Sequence, residues 1–295
     1  MELHKNSEEN LHVTSHGGND VSFFGRVLVE NGKLTNIQLE KVLKHQHQKN
    51  IKFGEAALEL GFIMQSDIDA ALAKQFEYSF IDTETTGISS TLYMAFNKNF
   101  SEKEKIKGLR SQININWLMH GNKGVLIAGT DGDDSVAVLS ANLAIAFSQS
   151  GKRTLLVDAN MRDSTLHNYF SIKNKQGLSD VLAERSSIHD ALHTVKPLAN
   201  LYFLPSGTQV LNPQELMSRD TLGAVCNEVS QQFDVVIYNT PSQVDYFDGQ
   251  ILSSRVSGVV LVAKENETSI QSMQTLLNRL RITQATVLGC VYTRD

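Results

Sequence analysis

The chain has 295 residues, 41% hydrophobic and 20% charged, with a formal net charge of −5 and four prolines. That composition describes a folded soluble protein of about two domains, at roughly 150 residues each, and excludes a disordered or fibrous one. The first hundred residues carry 9 Lys and Arg against 13 Asp and Glu and the remainder 18 against 19, so no concentrated basic face exists to hold a nucleic-acid backbone. No apolar run reaches the ~20 residues of a membrane span. Glu2, Glu8 and Glu9 replace the basic and apolar regions of a signal peptide. A cytoplasmic protein is expected, with Cys226 and Cys290 as buried free thiols because their spacing suggests no pair. His4, His12, His16, His45 and His47 read as a solvated tail and an exposed helix face, not as a metal site.

From Phe24 to Phe76 the chain repeats itself at an offset of 29. Gly25 matches Gly54, Gly32 matches Gly61, Leu34 matches Ile63, Leu39 matches Ile68, Leu43 matches Leu72 and Gln46 matches Gln75. Each unit has an apolar stretch (Val27 and Leu28; Ala57 and Leu58) ending in glycine. A turn follows, with Thr35 or Ser66 as N-cap, and then a second helix. Stacked units of this kind bury faces that neither covers alone, which predicts a small helical docking domain over residues 21–80. Blocks 23–46 and 52–75 resemble the N-terminal module of type II secretion and pilus ATPases. Some members of that module bind cyclic di-GMP through an arginine two residues before the first glycine. The resemblance would place that ligand at Gly25, Lys52 and Gly54. Phe23 and Lys52 hold the arginine positions, and lysine lacks the bidentate fork of arginine. Residues 81–100, where Thr, Ser and Gly accumulate, are the expected linker.

Beyond it the pattern alternates. Apolar runs at 124–129, 154–158, 201–205, 234–239, 258–263 and 286–292 read as buried parallel strands. Helical patterns lie between them near 136–150, 177–193, 215–232, 245–256 and 268–282. This predicts an α/β domain over 101–295, a doubly wound parallel sheet with ligands at the C-terminal strand ends. Asn212-Pro213 reads as a helix start, and His167, His189 and His193 as exposed helix residues.

Several stretches carry a resemblance to the bacterial tyrosine kinases, whose P-loop domain is similar to MinD/ParA ATPases. They are Asn142–Gln149, Gly151–Asp158, Leu204–Gly207, Asn212–Leu216 and Phe233–Val236. The likeness is to the branch that sets exopolysaccharide chain length, which also carries the repeat module. Glu104, Lys107 and Arg110 resemble its oligomerisation motif, E-x-x-R-x-x-R. The resemblance implies homo-oligomers and docking to an inner-membrane polysaccharide co-polymerase or a paralogous kinase.

Three motifs carry that family's ATP and magnesium chemistry, and each departs here. The phosphate loop should read G-x-G-K-[ST], with lysine neutralising phosphate and the hydroxyl holding magnesium. Read back without gaps from Asn142, its positions are Asp133, Asp134, Ser135, Val136 and Ala137. Shifting the register to seat Gly132 in the turn puts Asp134 in the lysine slot. At ~4 Å and an effective dielectric near 20, each carboxylate there repels a phosphate charge by about 4 kcal/mol. The D-x-D-x-R motif becomes Asp158-Ala-Asn160-Met-Arg162, and the third motif, an aspartate before x-P, becomes Asn239-Thr-Pro241. Asp158 and Arg162 are either catalytic remnants or scaffold, Asp158 capping the next turn and Arg162 pairing with it. No tyrosine cluster follows, and Tyr292 falls in the last strand. The expectation is a non-catalytic kinase-like regulator that takes no cofactor unless the altered site still binds ATP and magnesium. The alternatives are an active autokinase and a cyclic-di-GMP module.

Overall fold

The computed structural model describes residues 25, 28–29, 32–49, 51–68, 87–96, 101–173, 176–243 and 246–294. Phe23, Val27, Leu72, Gln75, His4, His12 and His16 lie outside them. The chain divides into two units, Met1–Tyr78 and Ser79–Asp295.

In the first unit, α1 (Asn36–Lys49) and α2 (Phe53–Glu59) pack around Leu28, Leu34, Val42, Ala57 and Ile63. The repeat of 29 reappears as repeated hydrogen bonding. Lys33 N–H donates to Leu28 O and Phe62 N–H to Ala57 O, at 2.9 and 3.1 Å, closing each helix over a left-handed glycine, Gly32 and Gly61. Thr35 is the expected N-cap, and its reciprocal bonds with Gln38 make a capping box. Ser66 is not the second N-cap, because helix begins at residue 65. Met64 takes that place and its N–H donates to Asp67 Oδ2 at 2.9 Å.

The second unit opens with α3 (Ser101–Asn116) and continues through β1 (Gly124–Gly129), α4 (Ser135–Gln149), β2 (Thr154–Asp158) and three short helices, α5 (Leu166–Tyr169), α6 (Leu178–Leu182) and α7 (Ile188–Ala191). Then come β3 (His193–Thr194), β4 (Leu201–Leu204), α8 (Pro213–Met217), α9 (Asp220–Gln232), β5 (Val235–Asn239), α10 (Asp248–Val256), β6 (Gly258–Lys264), α11 (Ile270–Ile282) and β7 (Thr286–Thr293). The sheet order is β3-β4-β2-β5-β1-β6-β7, and only β3 runs antiparallel. Strands β1, β2 and β5 read as continuous apolar runs because both faces are covered. Leu143 and Phe147 of α4 pack on one face with Ile127 and Ile237; Val229, Leu252 and Leu280 cover the other with Leu126 and Val236.

Four expectations change. The helix expected over 177–193 breaks into α6 and α7, since Glu184 turns left-handed at φ 57° and Arg185 N–H closes on Asp180 O. Likewise 215–232 divides into α8 and α9, with Asn212 and Pro213 at the expected start. Residues 87–96, assigned to the linker by sequence, belong to the core. Ile88, Leu92, Met94, Ala95 and Phe96 are buried, and Asn142 and Gln149 of α4 bond the backbone of Thr91 and Met94. Cys226 is buried as expected, but Cys290 is exposed because β7 is an edge strand.

Gly177 is fixed by backbone proximity. A Cβ there would lie 2.1 Å from Pro205 O and 2.4 Å from Gly207 N. Gly177→Ala should therefore cost more than about 3 kcal/mol in chemical denaturation. Gly108→Ala, in open space on α3, should be neutral or stabilise by about 0.5–1 kcal/mol.

Candidate functional site

Strands β1, β2 and β5 end side by side, where the doubly wound topology reverses and ligands bind in such folds. The turn after β1 runs through Thr130–Asp134 into α4, whose first N–H groups carry the positive end of the helix. A phosphate would normally occupy that place. Here the Asp133 carboxylate reaches the first of those N–H groups. Its Oδ1 accepts from Ser135 N–H at 3.1 Å and from Ser135 Oγ at 2.6 Å, and its Oδ2 lies 3.2 Å from Lys264 Nζ. Burial opposes the Asp133 charge, but these hydrogen bonds and Lys264 outweigh it and hold the carboxyl below its ordinary range.

The neighbouring acids are also committed. Asp131 accepts from Thr268 Oγ1, which itself accepts from Lys264 N–H at 2.7 Å. Asp134 accepts from Thr165 Oγ1 at 2.9 Å and from the Tyr169 hydroxyl. Burial first and Asp134 second push the Tyr169 phenol up to about 12. Val136, in the lysine slot, is buried, and its Cγ2 lies 2.7 Å from where a Cβ on Gly129 would stand. Ala137 is buried as well, while Gly132 has open space around it.

At the end of β2, Asp158 is fully buried and faces Asn239 of β5 in the strand register. It accepts from Asn239 Nδ2 at 3.0 Å, Asn160 N–H at 3.1 Å and Ser164 Oγ at 2.6 Å. Burial dominates these bonds and pushes the carboxyl up to about 6. An aspartate at 239 would set two buried carboxylates against each other, so the amide is what lets Asp158 remain there without a counter-ion. The Asn239 Oδ1 and Thr130 Oγ1 atoms are buried with no hydrogen-bond partner. Asp158 caps the next turn, as one reading expected, but Arg162 does not pair with it. Arg162 forks onto Asp248 at 2.7 and 3.1 Å and stacks 3.9 Å over the Tyr246 ring. Asn160 holds its own turn through Asp163, and Pro241 is buried between Thr240 and Ser242, whose hydroxyls bond Ile127 O and Thr130 O. These residues do not fit magnesium and a triphosphate: the cation slot is apolar, the anion slot is filled, and one of the two buried metal-facing acids is an amide.

Lys264, Thr268 and Asp248 were not singled out by sequence. Only Lys264 carries a readable signal, as the last residue of a buried parallel strand. The other candidates are used within their own units. Glu104 pairs with Lys107 at 2.7 Å, and Arg110 donates to Ala146 O in the last turn of α4 at 2.9 Å. Gly25 and Gly54 permit helix contact, since a Cβ would lie 2.5 Å from Leu39 Cδ1 and 3.1 Å from Ile68 Cδ1 respectively. Lys52 is exposed at the N-cap of α2. His167 is half-buried beside Ser164 Oγ, His189 is exposed, and His193 lies in β3, not a helix. Among the described residues no cluster of His, Cys, Asp or Glu forms a metal site.

This fold and site define a P-loop-type α/β domain, and the AAA domain family profile (AAA_31) matches residues 125–288, more than half of the chain. Tyrosine-protein kinase YwqD of Bacillus subtilis is 30% identical over 188 residues, covering 64% of this chain and 79% of that protein. CapB of Staphylococcus aureus is 28% identical over 208 residues, covering 70% and 90%. The crystal structure of the chimerical protein CapA2B2 superposes with a TM-score of 0.63 at 25% identity, over 76% of this chain and 97% of that one. MinD of Pyrococcus horikoshii with Mg-ADP shares the fold, with a TM-score of 0.51 at 19% identity over 58% and 70%. The chain belongs to the bacterial tyrosine-kinase family. It spans only 24% of the longer Salmonella typhi relative, tyrosine-protein kinase Wzc, at 29% identity over 60% of this chain. Among the described residues no helix is long and apolar enough to cross a membrane.

The raised Asp158 pKa has a definite sign. The unfolded carboxyl ionises near pH 4 and the folded one near 6. The native state therefore holds the proton longer, and stability falls as pH rises through that window. Asp158→Asn keeps the Oδ1 acceptor and turns a donor towards Ser164. It should stabilise the protein by up to about 3 kcal/mol at pH 7 and by little at pH 4, read by denaturation at both pH values.

Proposed function

We propose that this chain is a non-catalytic member of the tyrosine-kinase family, a cytoplasmic regulator of exopolysaccharide biosynthesis and chain length. It keeps the kinase frame as a docking body for an inner-membrane polysaccharide co-polymerase or an active paralogous kinase. One observation carries the reading: the Asp133 carboxylate, held by Ser135 and Lys264, stands where the family needs a bound phosphate. Arg162 supports it, because its guanidinium is already engaged by Asp248 and Tyr246. Phosphoryl transfer depends on positioning and on cations around the transferred group. In this loop Lys264 is shared between Asp133 and Glu267, at 3.2 and 2.8 Å.

Radiolabelled ATP with magnesium should leave the wild-type protein unlabelled; robust labelling on tyrosine sinks the reading. Asp133→Gly, Val136→Lys, Ala137→Ser and Asn239→Asp, combined, should tighten ATP binding at least roughly tenfold in a filter assay. No gain would mean that these positions are not the family's phosphate loop.

A further inference from the structure

We propose that β7 is a self-complementary edge through which two copies of this chain pair antiparallel, joining their sheets into one. Among the described residues β7 has a strand neighbour on one side only, β6. The strand is eight residues long and reads Thr-Val-Leu-Gly-Cys-Val-Tyr-Thr, with no charge and no proline. Those are devices with which exposed edges ordinarily avoid pairing.

Exposed apolar side chains lie on this strand and on the elements that pack beside its sheet border. Val287 and Tyr292 lie on the strand, 39% and 58% exposed. Ile270 and Ile282, 78% and 75% exposed, stand at the two ends of α11, the helix that leads into β7. On the other side Ile115 and Met119 are 55% and 72% exposed, flanking Trp117, whose ring lies against Gly258 at the start of β6. Apart from Leu211 and Phe247, these are all the exposed large hydrophobics described in the larger unit. An apolar concentration of this kind on one border marks an interaction surface.

The occupant follows from the strand's symmetry. Pairing with β6 shifts register between Val259 and Val260, so that Leu288 is an extra residue. The shift changes the phase of the side chains. Val287, Cys290 and Tyr292 lie beside Val259, Leu261 and Ala263, while Leu288 and Val291 pack against the core cluster that holds Val260 and Val262. In a regular strand Val287 and Tyr292 would face opposite sides. With the bulge they share one face, and Leu288 and Val291 share the other. A two-fold axis normal to the sheet, between Gly289 and Cys290, then sets Thr286 opposite Thr293, Val287 opposite Tyr292 and Leu288 opposite Val291 of the second copy. These three pairs each match in polarity and face, and at the axis Gly289, which carries no side chain, stands opposite Cys290. An isologous contact of this type closes at two subunits, and β-branched residues opposite an aromatic are favoured cross-strand neighbours. A second copy therefore fits this edge better than a foreign peptide. The surface is separate from the Glu104, Lys107 and Arg110 positions on α3.

Sedimentation equilibrium of the full chain tests it. Wild type should be dimeric at a concentration on the order of 50 µM, and Val287→Lys should weaken the dimer at least roughly tenfold while leaving the circular-dichroism melt unchanged. Adding Tyr292→Glu to Val287→Lys places opposite charges across the proposed register and should restore the dimer. Cys290 lies next to the axis, so oxidation should join wild-type copies covalently and leave Cys290→Ser unjoined. A monomeric wild type, a dimer indifferent to Val287→Lys, or failure of the double variant to recover would each overturn the proposal.

Discussion

A carboxylate at the start of α4 governs what the larger unit can do. The first turn of that helix presents unpaired N–H groups and a positive potential at the ends of the central strands, and some anion must meet them. In most folds of this design a nucleotide phosphate does so transiently. In this chain the Asp133 carboxylate meets the first of them, accepting from the Ser135 amide and hydroxyl with Lys264 of β6 beside it. Asp133 thus takes up one N–H of the turn, while the Thr130 hydroxyl in the same loop is buried without a partner. Val136 is buried in the core, and Asn239 bonds Asp158 directly.

Much of this arrangement was legible in the sequence, for physical reasons that also set the limit. Buried parallel strands are apolar on both faces, so β1, β2, β5 and β6 appear as unbroken runs that tolerate little misreading. The repeat of 29 survives as matching glycine turns because a left-handed closing residue is a strict requirement. The loss of lysine and of one carboxylate is a local fact of the chain. Lys264 could not be assigned to Asp133 in the same way, since that contact depends on how β6 sits beside β1. The Arg162–Asp248 fork is equally non-local. Residues 87–96 resemble a linker in composition, yet Asn142 and Gln149 of α4 fix their backbone. The bend at Glu184 is invisible because a non-glycine residue adopts it.

The two units are built differently. The front unit is built on helical repeats whose glycines are used for close packing. The larger unit keeps a deep core on both faces of its sheet. Within it Asp158 carries a cost: a buried acid whose partners are two hydroxyl- or amide-bearing side chains and one backbone N–H, with its carboxyl pushed up to about 6.

The most direct test is a calorimetric titration of the wild-type full chain with ATP and magnesium. With Asp133 already filling the phosphate position, the account predicts no measurable heat of binding up to a nucleotide concentration on the order of 1 mM, where a Kd in that range amounts to only about 4 kcal/mol. A saturable isotherm with a Kd in the micromolar range, dependent on magnesium, would contradict it.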